Sequence, residues 1–307
     1  MEISVLIGKM AIFSVLMLIG YVLARRGLVD RSFGRSASML ALNVFLPATI
    51  LNSVFISDMA VGAGKLAWLM FVLFVALAVA YVVAAVLMRF LPIRSDPERS
   101  PVYELLIGMS NTMFIGLPVA QSLFGPVAVF YCALSCIPFN LYAYIYGVWR
   151  MKSDRKSAPR IRDIFSMALI ATLLAILIFL LHLPVPAVVK DLASAMNGAT
   201  MPLSLLVIGF TIGNASLGDA FRNKDLYLAS FLRNLIIPIL TWLILRLLTD
   251  DPVLLMTGML LAASPCAVLV TVFAIQYERD SVFAAEGVLQ STVLSIVTIP
   301  LLILLLG

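Results

Sequence analysis

Residues 108–121 read GMSNTMFIGLPVAQ, inside one of the most apolar regions of the chain. Ser110, Asn111 and Thr112 place hydroxyl and amide groups there, and Gly116 and Pro118 follow. Proline removes a backbone donor and clashes with the preceding turn, and glycine adds conformational freedom. The helix through 111–118 is therefore expected to break and to free N–H and C=O groups. In lipid each unsatisfied group costs several kcal/mol, so a break persists only where protein or a water-filled cavity supplies partners. Asn111 and Thr112 carry donors and acceptors that could serve either the backbone or a ligand. A second stretch, LLAASPCAVLVTVF at 260–273, offers Ser264, Pro265, Cys266 and Thr271. Two interrupted helices crossing near a midplane would turn half-helix N-termini inward, each with roughly half a positive charge and unpaired N–H groups. That chemistry suits an anion and requires no arginine. The plainer alternative is a pair of kinked helices that only pack.

Such stretches need a frame of helices. The chain has 307 residues, 63% hydrophobic and 12% charged, against roughly 25% charged in a soluble domain. It reads as an all-α integral membrane protein. The net charge of +5 is spread over short loops between apolar segments, so it does not point to nucleic acid. About 20 apolar residues cross a hydrocarbon core. Ten segments qualify as transmembrane helices: 3–24, 36–57, 66–91, 103–123, 126–149, 163–183, 192–214, 226–248, 253–276 and 281–306. The first is expected to be a retained span, because Glu2 precedes the apolar run and GYVLARRGLVD, not a small-residue cleavage site, follows. Loops on one side hold Arg25, Arg26, Arg31, Arg35, Arg89, Arg94, Arg99, the basic link RMKSDRKSAPRIR at 150–162, Arg222, Lys224 and Arg279. The other side holds Lys65, Lys190 and Arg246. Since Lys and Arg stay cytoplasmic, both termini are expected outside, on the periplasmic face of a cell inner membrane. Cys132, Cys136 and Cys266 all lie in apolar segments and form neither a disulfide framework nor a metal spacing, which suits packing.

The two halves echo each other. Pro47 and Pro202 lie 155 apart, as do SDP at 95–97 and DDP at 250–252, while GMSNT at 108–112 and AASPC at 262–266 lie 154 apart. Five spans per half is an odd number, so the second half enters the membrane from the opposite face. The expected architecture is a 5+5 inverted repeat with two broken crossover helices, common among secondary transporters. Residues 1–149 form the first repeat, 150–162 a cytoplasmic link and 163–307 the second repeat. A scaffold including spans 2 and 7 and a transport domain around spans 4 and 9 would each draw helices from both repeats.

These motifs also carry a resemblance. GYVLARRGLVD, NVFLPATIL, SNTMFIGLPVAQSLFG, FAIQYERD and STVLSIVTIPLL together resemble a prokaryote-type member of the auxin efflux carrier family, related to the plant auxin exporters. The resemblance implies a fold similar to sodium/proton antiporters and bile-acid symporters. It implies a crossover of spans 4 and 9, and as cargo a small organic anion such as malate, malonate or an auxin-like acid. Asn111 and Pro118 fall on the family's crossover asparagine and proline. Pro265 matches the first proline of span 9, but Val270 stands where plant carriers have a second, so the second crossover is expected to be less sharply broken. The long phospho-regulated loop of the plant carriers has no counterpart in the 150–162 link. Analogy of fold adds a homodimer, and H+ or Na+ as coupling ion.

Several residues fall outside the motifs. Glu286 in span 10 could carry a proton, since an ionisable group inside a membrane is a functional hypothesis by default, or could sit in interfacial water. Lys9 is expected to snorkel outward. Arg233 could pair with an acid or line a cavity, and His182 is expected at the interface. Asn43 and Pro47 are expected to frame the cavity beside the crossover. LYAYIYGVW at 141–149 reads as an interfacial aromatic belt. With one histidine and no G-x-S-x-G elbow, an intramembrane enzyme is disfavoured. A channel or sensor stays open as an alternative to a carrier. The crossover stretches lack carboxylates, which weighs mildly against sodium coupling. No cofactor or metal is implied, and the partners expected are the anion, the coupling ion, the bilayer and a second copy.

Overall fold

The computed structural model describes residues 3–30, 32–56, 63–152, 166–215 and 217–307. Arg31 and positions 153–162 of the basic link lie outside the described residues. Among the described residues the chain is helical, and extended pairing is limited to one isolated antiparallel bridge. Among the described residues six helices are long and apolar enough to cross a membrane: Ser32–Phe55, Gly64–Leu87, Pro126–Met151, Ala187–Asn214, Asp225–Arg246 and Ser281–Leu306. Shorter apolar helices stand at Ala11–Arg25, Thr112–Phe124, Met167–Leu181 and Pro252–Ala263. Two of these are short because their segments are interrupted.

Three prolines, Pro118 among them, are absorbed by widened turns. Single π-helical turns span Ala41–Phe45, Thr112–Gly116 and Leu232–Ile236. Each ends two residues before a proline: Pro47, Pro118 and Pro238. A proline has no N–H to donate and its ring strikes the carbonyl four residues back. A wide turn moves that carbonyl away, as where Leu46 N–H reaches Ala41 O. Pro118 therefore does not break its helix, contrary to expectation. Gly116 is buried at ordinary helical angles, φ −59° and ψ −51°.

The chain forms two compact units. The first comprises Met1–Phe71, Met113–Ile137 and Phe165–Ala215. Within it helix α1 (Ile3–Arg25) packs along the long helix Ala187–Asn214 through glycines. A Cβ on Gly20 would meet Leu206 O at 2.0 Å, and one on Gly209 would meet Met17 O at 1.8 Å. Small residues of this kind let membrane helices approach closely. The Thr49 and Thr200 hydroxyls bond at 2.7 Å, and Thr200 also donates to Phe45 O at 3.3 Å. Lys9 does not snorkel outward, because its ammonium donates to Ser122 O. Cys132 and Cys136 are buried packing groups, and His182 is exposed at a helix end with φ 48°.

The second unit comprises Val72–Thr112, Pro138–Ile164 and Ser216–Gly307. Here two aspartates do the same job 155 residues apart. Asp96 Oδ1 accepts from the N–H groups of Glu98 (2.9 Å) and Arg99 (3.0 Å) at the start of helix α2 (Arg99–Gly108). Asp251 Oδ1 accepts from Val253 (2.9 Å) and Leu254 (3.0 Å) at the start of helix α3 (Pro252–Ala263). An N-terminal carboxylate satisfies orphan donors and favours the positive helix end. Ionic contacts tie the same region: Glu104 accepts from Tyr146 OH and from Arg150, whose Nε lies at 2.7 Å. Arg99 Nε donates to Asp280 at 2.8 Å, a bond that raises the Arg99 pKa above its ordinary value. Arg279 donates to Met151 O at 2.8 Å and to Pro97 O at 2.9 Å. The aromatic run is not simply a belt. Leu141, Ile145 and Trp149 are exposed, but Tyr142 stacks on Tyr81 with centroids 4.7 Å apart, and Tyr146 meets Tyr81 edge-on.

Candidate functional site

In the second unit α2 stops at Gly108 and α3 stops at Ala263. The chain beyond each is extended, with ψ 114° at Met109 and 139° at Ser264. These two stretches cross as an antiparallel bridge that sets Ser110 opposite Cys266. Asn111 N–H donates to Pro265 O at 2.7 Å, and Ala267 N–H donates to Met109 O at 2.9 Å. Each break thus satisfies the other's backbone, as buried polar groups require. The first break covers 109–111 and the second 264–268, where helix α4 (Leu269–Gln276) begins. The second break is the longer, although Val270 replaces the family's second proline; Val270 sits in helix, its N–H bonded to Ala267 O at 3.0 Å. Pro265 alone, inside the break, suffices.

A helix that stops leaves its last carbonyls without partners and its C-terminus with about half a negative charge. Two such ends meet here, and one side chain answers both. Arg233, fully buried, donates from Nε to Ser264 O (3.1 Å) and from one amino group to Ile107 O (2.8 Å) and Gly108 O (3.2 Å). The other amino group donates to Ala262 O (2.6 Å) and to Ser110 Oγ. All five guanidinium donors are spent on the crossing. Among the described residues no carboxylate pairs with Arg233, so of the two roles open to it, pairing with an acid is not the one seen. The balance is electrostatic: two helix ends of about half a negative charge each offset one guanidinium.

Sequence reasoning noticed Arg233 but not this role. The available signal was a lone cation in an apolar segment, with two helix breaks whose carbonyls had no stated partner.

Of the expected site residues, Asn111, Thr112, Ser264, Pro265 and Cys266 come together at this crossing. Ser264 is committed, its hydroxyl donating to Leu260 O at 3.0 Å. Cys266 N–H donates to Ser291 Oγ at 3.1 Å. Thr112 differs: it is 1% exposed, and its hydroxyl has no hydrogen-bond partner among the described residues. It opens the helical segment Thr112–Phe124, whose first N–H groups have no acceptor within their own segment. Gly116, Pro118, Asn43 and Pro47 belong to the first unit. Asn43 Nδ2 turns back to Met39 O at 2.8 Å. Glu286, in the second unit, accepts from Asn223 Nδ2 at 2.9 Å.

An all-helical apolar chain that encloses two interrupted, mutually bonded helices has the make-up of a multi-pass membrane transporter. A family model described as "Membrane transport protein" matches residues 5–160 and 157–303, and the chain belongs to this auxin efflux carrier-type family of membrane transport proteins. It is 25% identical over 293 residues to an uncharacterized transporter of Methanothermobacter thermautotrophicus, covering 94% of each chain.

Proposed function

We propose that the protein is a secondary carrier of a small organic anion, a carboxylate such as malate, malonate or an auxin-like acid, working by alternating access. The anion binds at the crossing beside Asn111 and Thr112. Ten spans arranged as two inverted sets of five, with both termini outside the cell membrane, complete the reading. Support for the repeat comes from Asp96 and Asp251, each of which accepts from the N–H groups two and three residues further on, at the start of an interrupted helix. It comes also from the bridge, whose two bonds exchange partners about a local two-fold. The observation that carries the anion is the buried, unpartnered Thr112 hydroxyl at the start of a half-helix, where orphan N–H groups and the positive dipole end favour negative charge. In this reading spans 4 and 9, with their neighbours, move against a scaffold that includes spans 2 and 7.

The test is transport current in proteoliposomes for a panel of small carboxylates, including malate, malonate and indole-3-acetate, in wild type and Asn111→Ala. A saturable current for one acid, lost or strongly weakened in the variant, supports the reading. A current untouched by the variant moves the site away from the crossing, and silence across the panel removes carboxylates as the cargo.

A further inference from the structure

Carbonyl ends of interrupted helices are where membrane carriers hold a coupling cation, since the ends are electronegative and their oxygens lack partners. In this protein that place is filled by the chain itself. Arg233 reaches Ile107 O and Gly108 O from one helix end, and Ala262 O and Ser264 O from the other. Its fifth donor goes to Ser110 Oγ, one residue from Asn111. It is 0% exposed and meets only uncharged groups among the described residues. A fixed guanidinium there takes one acceptor position on each of the four oxygens and leaves no unmet negative charge to attract a dissociable ion.

We infer that Arg233 is the resident cation of the crossing: it stands where a coupling ion would otherwise bind, so that the carrier moves its anion without sodium. This rests on the carrier reading above. Arg233 touches no substrate in this scheme and acts as a positioning residue, holding the two breaks in register so that Asn111 and Thr112 face a formed site. Emptying the position should expose an electronegative carbonyl cage and convert a cation-indifferent protein into a cation-dependent one.

Wild type, Arg233→Lys and Arg233→Ala would be compared as full chains in choline, sodium and millimolar guanidinium chloride, by thermal unfolding in detergent and by carboxylate flux in proteoliposomes. Wild type is expected to melt and transport alike in choline and sodium. Arg233→Ala should melt lower and lose about tenfold or more of its flux in choline. Guanidinium, and to a smaller extent sodium, should restore both. Arg233→Lys should stay indifferent to sodium with part of the wild-type flux. A wild-type flux that collapses in choline overturns the inference, as does an Arg233→Ala protein whose melting responds to neither guanidinium nor sodium. If Arg233→Ala does not fold, Arg233→Lys decides: sodium-independent melting supports the inference, and a sodium-induced rise in its melting temperature overturns it. Should wild type carry no carboxylate at all, the carrier reading fails, yet the melting comparison still decides the role of Arg233.

Discussion

Thr112→Val separates a ligand-binding hydroxyl from a merely structural one, because the two roles predict opposite signs. Thr112 is 1% exposed and its Oγ1 has no partner among the described residues. Burying a hydroxyl without a hydrogen bond costs about 1–3 kcal/mol by protein mutational data. Valine keeps the branched shape and removes that cost, so the variant should be more stable than wild type by about 1 kcal/mol or more. If the hydroxyl meets the anion, a hydrogen bond to a charged group worth about 1.5–3 kcal/mol disappears with it. That corresponds to a roughly tenfold to hundredfold rise in the half-saturating substrate concentration. The assay pairs melting of the substrate-free protein with concentration dependence of proteoliposome current, and Thr112→Ser should keep the wild-type affinity. A variant that melts lower than wild type, or one that melts higher with unchanged half-saturation, refutes the assignment.

Gly209→Ala should cost about 3 kcal/mol, measured as a fall in melting temperature, because its Cβ would lie 1.8 Å from Met17 O in rigid backbone. Gly198→Ala, on the same helix with nothing within 4 Å of the added atom, should be neutral or stabilise by up to about 1 kcal/mol. Arg150→Ala should cost about 3–5 kcal/mol by leaving the Glu104 carboxylate, 3% exposed, without its cation; Glu104→Gln should cost less, since Arg150 keeps access to solvent, and denaturation of both variants would rank them. Arg99→Ala should cost less than about 1 kcal/mol, because its side chain is 43% exposed. A cation held above its ordinary pKa contributes below that pKa and loses the contribution only as pH rises through the raised value, so this small cost should stay constant from neutral to mildly alkaline pH. Uptake against pH in Glu286→Gln should show a flattened profile if Glu286 carries a coupled proton, and an unchanged profile ends that role.

The helical class was legible because hydropathy alone forces it: apolar runs of this length have no other way to satisfy their backbone. The likeness of SDP and DDP was legible, and the aspartate of each accepts N–H bonds at the start of an interrupted helix. The place of the break was not. Prolines drew attention to Pro118, but a proline that follows a widened turn costs its helix little, and nothing in the local sequence shows which turns widen. The first break lies at 109–111, which contains no proline, and it exists because the second break supplies partners for Asn111 N–H and Met109 O. A contact between residues so distant in sequence cannot be read from either stretch alone. Lys9 and the tyrosines of 141–149 failed for a related reason. Rules for interfacial residues describe a side chain facing lipid or headgroups, whereas here Ser122 O and the Tyr81 ring supply partners inside the protein.

If the halves are inverted copies, the crossing should be symmetric, and its backbone is: two N–H···O bonds exchange between Met109–Asn111 and Pro265–Ala267. Its neutralisation is not. Arg233 has no counterpart 155 residues earlier, where Ala78 stands. The reason is a matter of charge count. Two helix ends of about half a negative charge each require one cation between them, and a second arginine would leave a buried charge with neither dipole nor carboxylate to offset it. One half of the chain therefore supplies the charge for both. The two breaks are also unequal in hydrogen bonding: Ser264 gives its carbonyl to Arg233 and its hydroxyl to its own helix, whereas Thr112, just past the first break, keeps a buried hydroxyl without a partner among the described residues. In the proposed site, the hydroxyl without a protein partner therefore lies on the side of the first half.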